Sequence, residues 1–177
     1  MKVEICTLDD IPDLVKLINS AYRGEDSKQG WTTETDLLDG SKRTDENDLT
    51  LQMTKLPNLV FYKCIDENNN YCGCVLLKKE GKRLYLGMLS VSPHHQGAGI
   101  GKLLLAEAVN YAKTNDCASI YLTVINLREE LIAWYERHGY KKTGELRPFP
   151  AHPVFGMPKK PMALMVMEKF IDQNLQN

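Results

Sequence analysis

The sequence has no run of 18 apolar residues, no excess of charge of either sign, no CxxC pair and no internal repeat or low-complexity tract. Each absence excludes a class. Without a long apolar run there is no membrane-spanning helix to expect. Lys and Arg number 22 against 23 Asp and Glu, so the net charge is -1 and no basic surface for nucleic acid is implied. The five cysteines (Cys6, Cys64, Cys72, Cys74 and Cys117) are odd in number and sit mostly in apolar runs, which argues against a disulfide framework. There a thiol behaves as a small hydrophobe in a reducing compartment. The opening stretch "MKVEICTLDDIPDLV" turns acidic at once and lacks an apolar signal core. The expectation is a cytoplasmic protein with neither membrane nor nucleic acid as partner.

What is present is 177 residues, 43% of them hydrophobic, enough for one domain with a real core over residues 1–177. "KVEICTL" alternates as a strand. Thr7 and Asp10 then form a capping box ahead of Ile11, Leu14, Val15, Ile18 and Tyr22 at helical spacing. "RGEDSKQGW" breaks that helix. "TTETDLLDG" is predicted to open a second one, capped by Thr32 or Thr33, and "DENDLTLQMTK" a further short piece. "LVFYKCI", "YCGCVLLKK" and "LYLGMLSV" read as an antiparallel meander. A helix from about Ile100 to Asn115, the strand "SIYLTVI" and a helix closed by Gly139 follow. "KKTGEL" and "MALMVMEKF" would complete the sheet. Between them, residues 147–161 hold five of the eight prolines, so that segment is a loop and not a central strand. The order predicts a mixed α+β fold.

The most informative stretch is "LSVSPHHQGAGIGKLLLAEAV". A Rossmann fingerprint fails because Lys102 stands three residues after Gly99. A P-loop fails because Gln96 replaces its first glycine and Leu103 its hydroxyl. What remains is Q-G-x-G-x-G between a strand and a helix. There, backbone N–H groups and the macrodipole favour an anion, and Gly97, Gly99 and Gly101 let the main chain come close to it. A glycine-rich turn kept for packing is the plain alternative. The strand ending at Asn126, followed by "WYERHGY" with Tyr135, supplies a second motif in order.

With both motifs in place the chain resembles the GNAT family of N-acetyltransferases, from "VEICTLDDIPDLVKLINSAY" to "MALMVMEKF". The match is sharpest across "LSVSPHHQGAGIGKLLL" and "VINLREELIAWYERHGY", with Gln96, Gly99 and Gly101 at the positions of the family's Q/R-x-x-G-x-G/A. The resemblance implies a three-layer α/β/α fold around a mostly antiparallel sheet, splayed where acetyl-CoA binds. It implies that Gln96, Gly97, Ala98, Gly99, Ile100, Gly101 and Lys102 bind the pyrophosphate. Backbone groups of Leu89 and Val91 would pair with the pantetheine arm where the strands part at Ser90 to Pro93, and Asn126 would approach that arm. Tyr135 would protonate the departing thiolate, its ordinary reading being core packing beside Trp134. The function so implied is direct acetyl transfer to a primary amine in a ternary complex; a non-catalytic acyl-CoA-binding sensor is the alternative.

One departure stands out. Some members carry a glutamate base in the strand before the loop, but "LYLGMLSV" has no carboxylate, and Tyr85 takes a plausible place for it. Water is then the default proton relay, with His152 a candidate. His94 and His95 are adjacent and point different ways, so no metal is expected. Residues 34–48 hold six acids and two bases, which suits either a cationic acceptor or helix N-termini. Trp31 suits stacking on substrate or plugging the end of the domain. Phe149 and Phe155 in the proline-rich loop suit a pocket wall or a homodimer contact. A small-molecule amine, an amino acid, a peptide N-terminus and a protein lysine all remain open as acceptors.

Overall fold

The computed structural model describes residues 1–172; the last five positions of the expected domain, 173–177, lie outside the described residues. Seven strands form one sheet in the order β1-β3-β4-β5-β6-β9-β7. These are β1 (Lys2–Ile5), β3 (Leu59–Ile65), β4 (Tyr71–Glu80), β5 (Arg83–Val91), β6 (Ser119–Ile125), β7 (Lys141–Pro148) and β9 (Ala163–Phe170). Every pairing is antiparallel except that of β5 with β6. Helices α1 (Ile11–Tyr22) and α3 (Glu46–Lys55) cover one face, and α4 (Ile100–Thr114) and α5 (Glu129–Arg137) the other. The fold is thus the expected three-layer α+β arrangement.

Because both faces are covered, β4 reads as a nearly continuous apolar run rather than an alternating one. Val75 and Leu77 point toward α4, and Cys74 and Leu76 toward α1. Leu14, Ile18, Leu77, Leu84 and Leu104 are fully buried, each side chain contributing roughly 1.5–3 kcal/mol on removal from water. The capping box forms as predicted: the Thr7 amide donates to Asp10 Oδ2 at 2.7 Å. Asp45 caps α3 by accepting from the Asp48 amide at 2.9 Å. Gly139, at φ 88, ends α5 in the left-handed region, as its position after the helix requires.

Two expectations are corrected. "TTETDLLDG" forms turns and the two-residue strand β2 (Leu38–Asp39), not a helix. Leu37 and Leu38 find burial against Ile125, Phe149 and Leu164, and β2 pairs with β8 (Met157–Pro158) of the proline-rich segment. That tertiary partner outweighs local propensity. Secondly, the parallel pair of β5 and β6 holds only from Arg83–Ser119 to Tyr85–Tyr121. The strands therefore part after Tyr85, earlier than Ser90. One further helical turn, α2 (Gly24–Ser27), lies in the segment expected only to break α1.

Candidate functional site

Beyond Tyr85, β5 keeps its partner β4 but loses β6, and its register against β4 slips between the pairs Leu76–Gly87 and Cys74–Ser90. Met88 sits in this bulge at φ 47, a left-handed conformation uncommon for a non-glycine residue. Past the bulge, the Ser92 amide bonds Cys72 O of β4 at 2.9 Å. Strand alternation then turns the amides of Leu89 and Val91 the other way, into the gap left by β6. Backbone donors turned into such a gap need partners.

The gap opens into a cavity of about 430 Å³ between β5, the glycine loop, α4 and α5. The sequence motif assembles here: Leu89, Val91, Gln96, Gly97, Gly99, Ile100, Gly101, Lys102 and Tyr135 all line it. Its three glycines do different things. Gly97 and Gly99 stand at φ 85 and 80, with open space where a Cβ would be, and Gly99 is the N-cap of α4. Their left-handed backbone turns the chain so that the first amides of the helix face out. Gly101 instead makes room for a neighbour, since a Cβ there would meet the Trp134 ring at 3.2 Å. An anion set before α4 would meet free N–H groups and the positive end of a 15-residue helix. Lys102 and Arg137 add positive charge at the same rim.

Gln96 is engaged with protein. Its Nε2 donates to Thr32 Oγ1 at 2.9 Å and its Oε1 accepts from the Trp31 amide at 2.9 Å. Arg128 holds the same two residues from the far side, donating to Trp31 O and Thr32 O at 3.1 and 3.2 Å. Trp31, 44% exposed, thereby closes one end of the cavity with its ring centroid 6.4 Å from that of Trp134.

A second cavity, about 270 Å³, shares Tyr22, Leu89, Leu131 and Tyr135 with the first. Tyr135 is buried among the Trp134 and Tyr140 rings, and that burial raises its hydroxyl pKa well above the ordinary value. It stays a proton donor at neutral pH and is no base. The Tyr22 hydroxyl, its pKa also raised by burial, donates to Leu89 O. Further in, Glu34 accepts from Arg23 and, at 3.3 Å, from Arg43 Nη1. The Arg43 guanidinium lies 4.5 Å over the Tyr22 ring. Arg23 also donates to Phe155 O at 3.0 Å, which draws the proline-rich loop to the cavity, where Phe149, Pro150 and Phe155 form a wall. Tyr85 lines this cavity too.

Several expected residues fall elsewhere. Ala98 is exposed and is not among the lining residues of either cavity. Asn126 lines neither; its Oδ1 accepts from the Ala163 amide at 2.9 Å and its own amide bonds Ala163 O, locking β6 to β9. His152 is exposed, stacks on Phe155, accepts the Val154 amide at Nδ1 in a turn and is not among the lining residues of either cavity. All five cysteines are buried and their thiols pushed up by that burial, Cys74 to about 12, so none offers a thiolate. Asp66, Cys72 and His95 bring ligand atoms within 4.8 Å of one another, a grouping invisible in sequence. Asp66 there already accepts from the Asn68 and Asn70 amides, closing the β3–β4 turn. Tyr22, Arg43 and Arg128 were not singled out from sequence. Tyr22 looks like one more core position of α1, and Arg43 hides in a segment dominated by acids.

The sequence profile described as the Acetyltransferase (GNAT) family matches residues 14–140. Human N-acetyltransferase 8B is 27% identical over 124 residues, 67% of this chain and 53% of that protein. A Bacillus subtilis subsp. natto protein named probable spermine N(1)-acetyltransferase is 32% identical over 65 residues, 36% of this chain and 43% of that one. The chain thus spans about half the length, or less, of these curated relatives. Among solved structures, the phosphinothricin acetyltransferase from Sinorhizobium meliloti in complex with AcCoA superposes with a TM-score of 0.70 at 12% identity, covering 98% of this chain and 90% of that one.

Proposed function

The chain belongs to the acetyltransferase (GNAT) family, and from that premise we propose that it is an acetyl-CoA-dependent N-acetyltransferase, its single domain passing the acetyl group directly to a primary amine in a ternary complex. The observation that carries this reading is the meeting of two cavities at Leu89 and Tyr135. One has the donors for a pyrophosphate and a run of unpaired strand backbone for an amide-bearing arm. The other ends in a polar pocket on the far side of the bulge. Acetyl-CoA supplies the activated acyl thioester.

The chain's own residues divide the remaining work. The amides at the start of α4 take the phosphates, and those of Leu89 and Val91 take the extended arm as an added strand would. The Leu89 amide, projecting beyond the Met88 bulge, suits an oxygen that gains charge during attack. Tyr135 keeps its proton at neutral pH and can give it to the leaving sulfur. Among the described residues Glu34 is the one carboxylate lining the second cavity, and two guanidiniums hold it. Among the described residues no side chain there is a ready base, so the acceptor's proton leaves by water. A lysine-like amine, pKa ~10.4, is neutral only about one part in a thousand at pH 7. Placing it therefore matters more than activating it.

Calorimetry with acetyl-CoA, against ATP and NADH, tests the reading. Acetyl-CoA alone should bind, and Gly99→Glu should weaken it by at least about 100-fold, since a carboxylate then stands where phosphate would sit and the left-handed φ is lost. Binding of ATP in preference, or no binding by folded protein, would overturn it.

A further inference from the structure

We infer that the second cavity takes an amine that also carries a carboxylate, and that Arg43 is the residue holding that anion; this rests on the acetyl-transfer reading above. Of the six acids of residues 34–48, which in sequence suited either a cationic acceptor or helix N-termini, Glu34 is the one that lines the cavity among the described residues. Glu34 is bound by Arg23 and Arg43. Asp45 caps α3, and Asp48 accepts from Thr44 Oγ1 and Gln52 Nε2 at 2.7 and 2.9 Å. Asp36, Asp39 and Glu46 are exposed, and Asp39 faces Lys159 at 3.6 Å.

The charges that do line the cavity are Arg23, Arg43, Arg128 and Glu34. Arg128 is spent on Glu130 and on the carbonyls of Trp31 and Thr32. Arg23, with a side chain 1% exposed, is spent on Glu34 and on the carbonyls of Tyr22 and Phe155. Arg43 differs. Its side chain is 32% exposed against 1% for Arg23, and its Nη1 shares Glu34 with Arg23 at 3.3–3.4 Å. The Nε of both arginines is buried with no hydrogen-bond partner among the described residues, so exposure is what separates them. Two guanidiniums against one carboxylate leave one positive charge in excess, and Arg43 is where it meets the cavity.

A carboxylate satisfies that charge with the planar geometry a guanidinium prefers. A polyamine would add cations to a cavity already in excess of them. The placing fits a short acceptor. Arg43 covers the Tyr22 ring, and the Tyr22 hydroxyl bonds Leu89 O at the bulge, so the anion site and the acyl site lie within the span of one tyrosine. That is the scale of an amino acid. Neutralising its carboxylate also removes the charge that would hold a proton on its amine. Phe149, Phe155 and Leu164 leave apolar wall for a side chain.

The test is a thiol-release assay with acetyl-CoA and matched amines: L-phenylalanine, L-phenylalaninamide and phenethylamine; L-leucine and L-leucinamide; and spermine. The acids should exceed their partners by at least about tenfold in kcat/KM, the worth of one charged hydrogen bond. Arg43→Gln should erase that preference through KM while acetyl-CoA affinity holds, and Arg43→Lys should restore part of it. Amides or spermine used as well as the acids, or Arg43→Gln lowering every amine alike, would overturn the proposal and leave acetyl transfer standing. If no amine releases thiol, the transfer reading falls, and binding decides the site by itself. N-acetyl-L-phenylalanine should then raise Tm where its amide does not, and Arg43→Gln should abolish the rise; equal shifts would sink it.

Discussion

The two cavities share Tyr22, Leu89, Leu131 and Tyr135, yet their remaining walls come from different kinds of material. The first takes most of its donors from main chain between Leu89 and Lys102, one strand end and one helix start adjacent in sequence. The second takes side chains from α1, residues 34–43, β5, β6 and the proline-rich loop, and its charged centre joins Arg23, Glu34 and Arg43 to Phe155. A backbone site is written as spacing, because glycines and a helix start must occur in order. A side-chain site assembled from distant segments leaves no such pattern. One cavity can therefore be recognised from its text and the other only from its fold.

The largest expected effect tests the residue common to both. Tyr135→Phe should lower turnover by about 10²- to 10⁴-fold, the range for losing a positioned proton donor, while calorimetric affinity for acetyl-CoA is kept. Unchanged turnover of an identified amine would reduce Tyr135 to a wall of two cavities, and a protein with no turnover at all would fit the acyl-CoA sensor. Next comes Glu34→Gln, which leaves the buried Arg23 guanidinium and the partly exposed Arg43 guanidinium without their shared carboxylate. It should cost about 3–5 kcal/mol of unfolding free energy, measured by denaturant titration, with acetyl-CoA affinity preserved in the protein that stays folded. Equal damage to both cavities would break the contrast drawn here.

The smallest effect is a calibration away from both. Burial pushes the Asp10 carboxyl up, but hydrogen bonds from Lys63, Tyr71 and the Thr7 amide outweigh it and hold the group below its ordinary value. A depressed carboxylate contributes stability above its unfolded pKa of ~3.9 and loses it as pH falls through the folded value. Asp10→Asn should cost about 1–2 kcal/mol at pH 7 and flatten the acid limb of stability against pH, with turnover unaffected. An acid limb as steep as wild type would mean that other carboxylates set it.

The same contrast explains how far the sequence could be read. Alternation and capping located β1, the β3–β5 meander, α4 and α5, since each is set by neighbours along the chain. "TTETDLLDG" was misread because the fate of Leu37 and Leu38 is decided by Ile125, Phe149 and β8. Gly101 looked like part of an anion cradle, but its missing Cβ accommodates Trp134, 33 positions on. Asn126 sits at the strand end the motif requires, yet its hydrogen bonds go to Ala163. Arg43 was the minority charge in an acidic segment, and nothing local distinguishes it from a solvated arginine. The parting of β5 from β6 was expected, but its onset after Tyr85 depends on pairing across the sheet.

The bonds from Gln96 to Trp31 and Thr32 have a consequence for binding. They fasten the glycine loop to a strand of chain that reaches Glu34 two residues later, and through Glu34 the pair Arg23 and Arg43. A loop drawn toward bound phosphate would pull on that tether. The state of one cavity would then enter the affinity of the other, and thermodynamic reciprocity would make the influence equal in both directions. Such wiring would let each ligand, once seated, change the grip on the other, whichever arrives first.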